Sequence, residues 1–311
     1  MGVELRHFAA LQAVASEGSF GRAAVRLGYT QSAVSQQIAA LEQIVGERLI
    51  ERPGGPRAVS LTDAGQLLLR HADVIMARLN AAQADLTALS AGESGLLKVG
   101  TYQSVGQRIL PLLIRRFNAE WPSLEIGLVE SANDDNLLHL VETGELDLTF
   151  SIYPFVSGPF DGVQLMLDPY VLVVPADSPL AQPGADVTWP EIARLPLIGY
   201  RQCRSVEQVD AFWLGHGLEP HLIFRSDDNG TIQGLVGAGM GAALMPQLCV
   251  DTSDQNIAVV SLAPDGPVRL VALAWHGDRY RTAASRAFVQ AAVEVCDEIQ
   301  RGMAAAAKLS A

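Results

Sequence analysis

Between Thr62 and Ser90 the chain holds no proline, and Leu68, Ala72, Ile75, Leu79, Ala82, Leu86 and Leu89 follow one another in alternating steps of four and three. That spacing keeps a single apolar seam on one side of an α-helix. A chain of 311 residues also exceeds the usual size of one hydrophobic core, so two or more domains are expected. Thr62 is the expected N-cap, and Ala91-Gly92-Glu93-Ser94-Gly95 breaks the helix as a hinge. The expected division is residues 1–61, the helix and hinge at 62–95, a body at 96–300, and a disordered tail at 301–311. The seam fits pairing with a second copy or packing on the protein's own body, and its length favours pairing.

The segment before the helix carries a second pattern. Leu5, Phe8, Leu11 and Val14 recur at helical spacing. Gly18 stops that helix; Ser19 caps a short second one through Phe20, Ala23, Ala24 and Leu27, which ends at Gly28. Thr30 then caps a third helix whose apolar stripe is Val34, Ile38, Leu41 and Val45. Its other face, Ser32, Ser35, Gln36, Ala39 and Gln43, is small, amide-rich and uncharged, which suits hydrogen bonding to base edges in a major groove. Such faces also occur on ordinary solvated helices. After Gly46, two short extended runs flank Pro53-Gly54-Gly55-Pro56 as a β-wing, with Arg52 and Arg57 placed to meet phosphate or a minor groove, or simply solvated.

At this point the chain resembles the LysR-type family of bacterial transcription regulators. The string SFGRAAVRLGYTQSAVSQQIAALEQIVGERLIER at 19–52, followed by Val59-Ser60-Leu61-Thr62-Asp63-Ala64-Gly65, carries the resemblance. It implies a winged helix-turn-helix in which Thr30, Gln31, Ser32, Ser35 and Gln36 face double-stranded DNA, with Arg52 and Arg57 on the backbone or minor groove. It also implies a homodimer or homotetramer, RNA polymerase as a partner, and dyad-symmetric target sites. Two positions depart from the family's habit: Gln36, where arginine is common, and Ile50, where phenylalanine is common. The first bears on half-site preference and the second on core packing.

The body alternates short apolar strands with helices, the pattern of α/β layers with mainly parallel sheets. Strands are expected at 96–100, 124–130 and 147–152, with helices near 107–119 and 134–143 between them. A second set starts at Tyr170 and ends near Val259, after which Arg269 to Trp275 and a helix beyond Thr282 return to the first set. The result is two lobes, about 96–168 with 268–300 and about 169–267, which the resemblance identifies as a periplasmic-binding-protein-like effector domain. The run Gly237-Ala238-Gly239-Met240-Gly241 follows a helix and precedes a strand, the reverse of a dinucleotide loop, so close packing explains it better.

Ligands on open α/β sheets gather at strand carboxyl ends. Tyr102, Gln103, Ser104, Ser131, Ser151, Arg201, Gln202, Cys203 and Asn229 are therefore the candidate effector contacts, although capping is a competing role for Ser104, Ser131 and Asn229. Arg201 or Arg204 offers a fork for a carboxylate, which points to an anionic effector, with surface solvation an equal alternative. Cys203 lies between those arginines and opens an alternative, redox sensing as in the peroxide-sensing branch of the family. No second cysteine lies within a few residues to resolve a sulfenic acid, since the other two are Cys249 and Cys296.

Charge divides the chain the same way. Residues 1–90 hold eight arginines, no lysine and eight carboxylates; the other 14 basic and 26 acidic side chains (22 − 8 and 34 − 8) supply the whole net charge of −12. An acidic body repels phosphate, so DNA contact is confined to the head. Six histidines scattered singly and three cysteines without paired spacing offer no metal cluster and no nucleophile with a base, so neither an enzyme nor a cofactor is expected. The absence of an export signal or an apolar run of about 18 residues leads to the expectation of a cytoplasmic protein without membrane contact.

Overall fold

A computed structural model describes residues 2–51, 59–91, 95–182, 187–201 and 204–310. It divides into two compact units, 1–86 and 87–311.

The first unit is built from α1 (Leu5–Glu17), α2 (Phe20–Leu27), α3 (Gln31–Val45), β1 (Ile50–Glu51), β2 (Ser60–Leu61) and most of α4 (Asp63–Ala91). Leu11, Val14, Ala23, Ala24, Val34, Ile38, Leu41, Leu49 and Ile50 form its buried core. The alanine pair lets α2 cross its neighbours closely, and the core fixes which face of α3 points outward. Two side chains tie α3, β1 and the start of α4 together. Glu42 Oε1 accepts from the Leu49 and Ile50 N–H groups at 2.9 and 3.2 Å. Thr62 Oγ1 donates to the Arg48 carbonyl at 2.6 Å and accepts from Gly65 N–H at 3.0 Å. A Cβ at Gly65 would stand 2.1 Å from the Leu49 carbonyl oxygen, so only glycine lets the start of α4 lie against this strand.

Helix α4 is continuous, as the seam requires, but the seam is not buried along its whole length. Ala72 is buried and Leu68 packs on the head's own core, while Ile75, Leu79, Ala82 and Leu86 are exposed. The side chain of Leu89 lies outside the described residues.

The second unit continues with β3 (Gly95–Thr101), α5 (Gln103–Arg108), α6 (Leu110–Glu120), β4 (Leu124–Glu130), α7 (Asp134–Glu142), β5 (Leu148–Tyr153) and β6 (Phe160–Pro175). Then come α8 (Trp189–Arg194), β7 (Leu197–Tyr200), α9 (Arg204–Gly215), β8 (Leu222–Ser226), α10 (Asn229–Gly237), β9 (Ala242–Pro246), β10 (Ile257–Ser261), β11 (Val268–His276) and α11 (Ala283–Ser310). Nine strands among the described residues run in the order β4-β3-β5-β11-β6-β9-β7-β8, with β10 on β6. Lobe I surrounds Phe117, Phe150 and Phe288. Lobe II surrounds Tyr170, Leu172, Trp213 and Leu244.

The structure differs from the sequence reading at four points. The sheets are mixed, not mainly parallel: β3 pairs parallel with β4 and β5, and β7 with β8 and β9, but β6 and β11 pair antiparallel throughout. The crossing strand β6 extends back to Phe160, its first half in lobe I and its second in lobe II, where Gly162 and Pro169 had obscured a strand pattern. The expected helix at 107–119 is two helices, because Pro111 opens α6 and cannot continue a helix from α5. Helix α11 runs to Ser310, where a disordered tail was expected from residue 301.

The glycine-rich run does join helix α10 to strand β9. At Gly241 a Cβ would lie 2.2 Å from the Pro196 carbonyl oxygen, which is the close approach that calls for glycine there.

Candidate functional sites: a reading helix and an interlobe cleft

Helix α3 begins with the expected cap, Thr30 Oγ1 accepting from Ala33 N–H at 3.2 Å and lying 3.0 Å from the Ser32 hydroxyl. Gln31, Ser32, Gln36, Ala39 and Gln43 are exposed and Ser35 half-buried, while Val34, Ile38 and Leu41 are buried beneath them. The five candidate readers therefore share the first two turns of one outward face. Among the described residues that face carries no charged side chain, so what it offers a partner is hydrogen bonding and not charge attraction. Strands β1 and β2 form the base of the expected wing; Arg52 and Arg57 lie outside the described residues.

In the second unit the segment after β3 in lobe I meets the turn after β8 in lobe II. Gln103 connects them. Its Nε2 donates to Asp228 Oδ2 at 2.8 Å, and its Oε1 accepts from Asn229 N–H at 3.0 Å. Asp228, not Asn229, caps α10, accepting from Thr231 N–H at 2.6 Å. Asn229 is buried, and its Oδ1 accepts from the Tyr200 hydroxyl at 2.9 Å. Ser131 is likewise not a cap: its hydroxyl closes a turn with Asn133, which caps α7.

Ser104 and Ser151 are buried and committed inside the protein. Ser151 Oγ donates to Asp134 Oδ2 at 2.9 Å. Ser104 Oγ accepts from Arg269, which sequence reasoning missed. The Arg269 guanidinium donates from Nε to Asp168 Oδ2 at 2.8 Å and from Nη2 to Ser104 at 2.8 Å, with Cys249 Sγ at 3.7 Å. Asp168 Oδ1 also accepts from Leu248 N–H at 3.0 Å. Burial pushes the Asp168 carboxyl up while Arg269 and the backbone donors pull it down. Burial works against the Arg269 charge too, yet Asp168 beside it holds the guanidinium well above its ordinary range. An arginine in an apolar strand facing an aspartate before a proline was the available signal.

Tyr102 stands over this pair, its ring 5.4 Å from the Arg269 guanidinium. Its phenolic oxygen is buried without a hydrogen-bond partner among the described residues. Burial pushes the phenol far up, so it stays protonated and offers a donor. Arg201 is exposed, and its backbone N–H donates to Asp227 at 3.2 Å. Asp227 and Asp228 on the same rim weaken the charge argument for an anionic effector. Gln202 and Cys203 lie outside the described residues. Cys249 and Cys296 are buried free thiols, and burial pushes Cys296 up to about 12.

Among the described residues no helix is long and apolar enough to cross a membrane, and no group of three or more His, Cys, Asp or Glu side chains could hold a metal ion.

Residues 5–66 match the bacterial regulatory helix-turn-helix protein, lysR family, and residues 90–297 the LysR substrate binding domain. An uncharacterized HTH-type transcriptional regulator of Escherichia coli K12, YnfL, is 30% identical over 93% of this chain and 97% of its own. A full-length OxyR variant from Pseudomonas aeruginosa shares the fold with a TM-score of 0.65 at 24% identity, covering 95% of both chains. Full-length CbnR, solved in complex with its target DNA, does so with a TM-score of 0.56 at 22% identity over 94% of this chain and 99% of its own. The chain belongs to the LysR-type transcriptional regulators, DNA-binding proteins with an effector-binding domain and no enzymatic role.

Proposed function

We propose that this regulator binds dyad-symmetric promoter sites as a dimer joined through α4, and that a small molecule held between the lobes adjusts its action on transcription. The observation that carries the DNA half is the uncharged face of Gln31, Ser32, Ser35 and Gln36 on a helix anchored from behind by its apolar stripe. The exposed Ile75, Leu79 and Leu86 support pairing, which places two reading helices on one site. Contact with RNA polymerase belongs to the same reading.

The effector half is supported by the polar groups that the two lobes bring together at strand carboxyl ends, Gln103 with Asp228 and Asn229. The effector's closure of the lobes would alter the spacing of paired heads. The test of reading is binding of Gln31→Ala to DNA from the region upstream of the protein's own gene and to random duplex, compared by fluorescence anisotropy. Loss of one base-contact pair lowers specific affinity by about 5- to 150-fold and leaves random binding nearly unchanged. Equal losses on both would remove Gln31 from the readers. Arg57→Ala is expected instead to weaken both and to flatten the salt slope by about one unit.

A further inference from the structure

The Gln103 carboxamide uses both ends on lobe II, as donor to Asp228 and as acceptor from Asn229 N–H. It lands on a corner that is itself fixed. Asp228 caps α10 and its own N–H donates to the Ser226 hydroxyl at 3.2 Å, while Asn229 is held by Tyr200. Beside this contact a recess of about 430 Å³ lies between α5 and α10, with Gln107 and Arg108 on one wall and Gly230, Gln233 and Gly234 on the other. Polar side chains bridge this recess, Gln103 at one end and Arg108, whose Nη2 donates to the Val250 carbonyl at 2.6 Å, at the other, while Leu248 after β9 packs with Val105 in the lobe I core.

We propose that Gln103 is a bolt between the lobes: its reciprocal pair with the first turn of α10 pins them in one arrangement in the free protein, and effector binding exchanges with it, freeing the lobes to close on the effector. The bolt occupies the polar edge of Gln103 and the Asn229 N–H. An effector that needs either group must take it from the bolt, so binding and unbolting are one event. The consequence for regulation rests on the effector reading above, but the bolt itself does not.

The test is amide hydrogen exchange of the full chain, free of DNA and metabolites. Gln103→Ala removes both contacts, and Gln103→Glu sets a second carboxylate against Asp228. Each is expected to speed exchange in segments 101–108 and 226–234 by about 5-fold or more, while the strands of both lobe cores stay unchanged. Gln103→Glu combined with Asp228→Asn again places one donor against one carboxylate and keeps a good helix cap, so exchange is expected to return to within about 2-fold of the parent. Unchanged exchange in Gln103→Ala, or a double variant as fast as Gln103→Glu alone, overturns the bolt. Because no effector is present, that failure would leave the effector reading standing, and a failure to find an effector would leave the exchange result standing.

Discussion

Glu42 shows how a single side chain ties helix α3 to the start of strand β1. Its carboxylate takes two N–H groups at the start of β1 that would otherwise face a partly buried turn without acceptors. Glu42→Ala is expected to destabilise the head by about 1–3 kcal/mol in chemical denaturation, because the donors lose their partner while remaining desolvated. Glu42→Gln, which keeps an acceptor, should cost clearly less. Gly65→Ala is expected to be worse than a normal surface change, since its Cβ meets backbone and not a movable side chain. Both residues stand in strings by which the family is recognisable, yet their reason was not legible: it lies in a contact with Leu49 that no local pattern encodes. Asp228 gives a third case. The Gln103 and Thr231 hydrogen bonds hold its carboxyl below the usual carboxylate range. A depressed carboxylate lends stability above its unfolded value, about 3.9, and loses it as pH falls through the folded value, so acid loosens the Gln103 contact. In a carbon-detected NMR titration, Gln103→Ala is expected to move the Asp228 midpoint upward, and an unmoved midpoint would mean that Gln103 does not set it.

Helix α4 shows what periodicity carries and what it omits. The alternation of four and three found a real helix and its N-terminal start, because a continuous apolar stripe has no other regular conformation over that length. It could not say what each position of the stripe touches. Leu68 and Ala72 belong to the head's own core, and Ile75, Leu79 and Leu86 are left outward. Leu79→Glu therefore separates the two roles. The head should keep its denaturation midpoint, since an exposed substitution stays within about 0.5 kcal/mol. If the chain pairs through α4 as proposed, sedimentation velocity should show that dimer weakened, and an unaltered dimer with the charge in place would move the pairing surface off α4. The same limit applies to the cleft. The strand ends were found from alternation, and with them the loops that carry Tyr102, Gln103 and Asn229. The serines among the candidates were not separable from buried helpers, because a hydroxyl at a strand end is as ready to satisfy an internal donor as a ligand.

At the scale of the whole effector-binding unit, what must hold is the passage between lobes, where β6 leaves one sheet for the other and β11 returns. Asp168 and Arg269 face each other at this passage, joined at 2.8 Å, and gather Ser104 from α5 and Leu248 from the turn after β9. Nothing in the strand pattern required a charge here. A fully buried ion pair is weak support for stability, because desolvation of both ions offsets most of their attraction. Losing one partner is another matter. Arg269→Met leaves Asp168 buried with backbone donors only, and burial then drives that carboxyl toward its neutral form. The expected cost is about 3–5 kcal/mol in urea denaturation followed through the second unit. Adding Asp168→Leu removes the stranded group, so the double variant should recover much of the loss even though it lacks the pair altogether. If it does recover, the pair serves to specify how β6, β11 and α5 meet, and its absence should appear as faster amide exchange at α5 with stability largely intact. If the double variant is as unstable as Arg269→Met, the pair is a net stabilising contact and the specification argument fails.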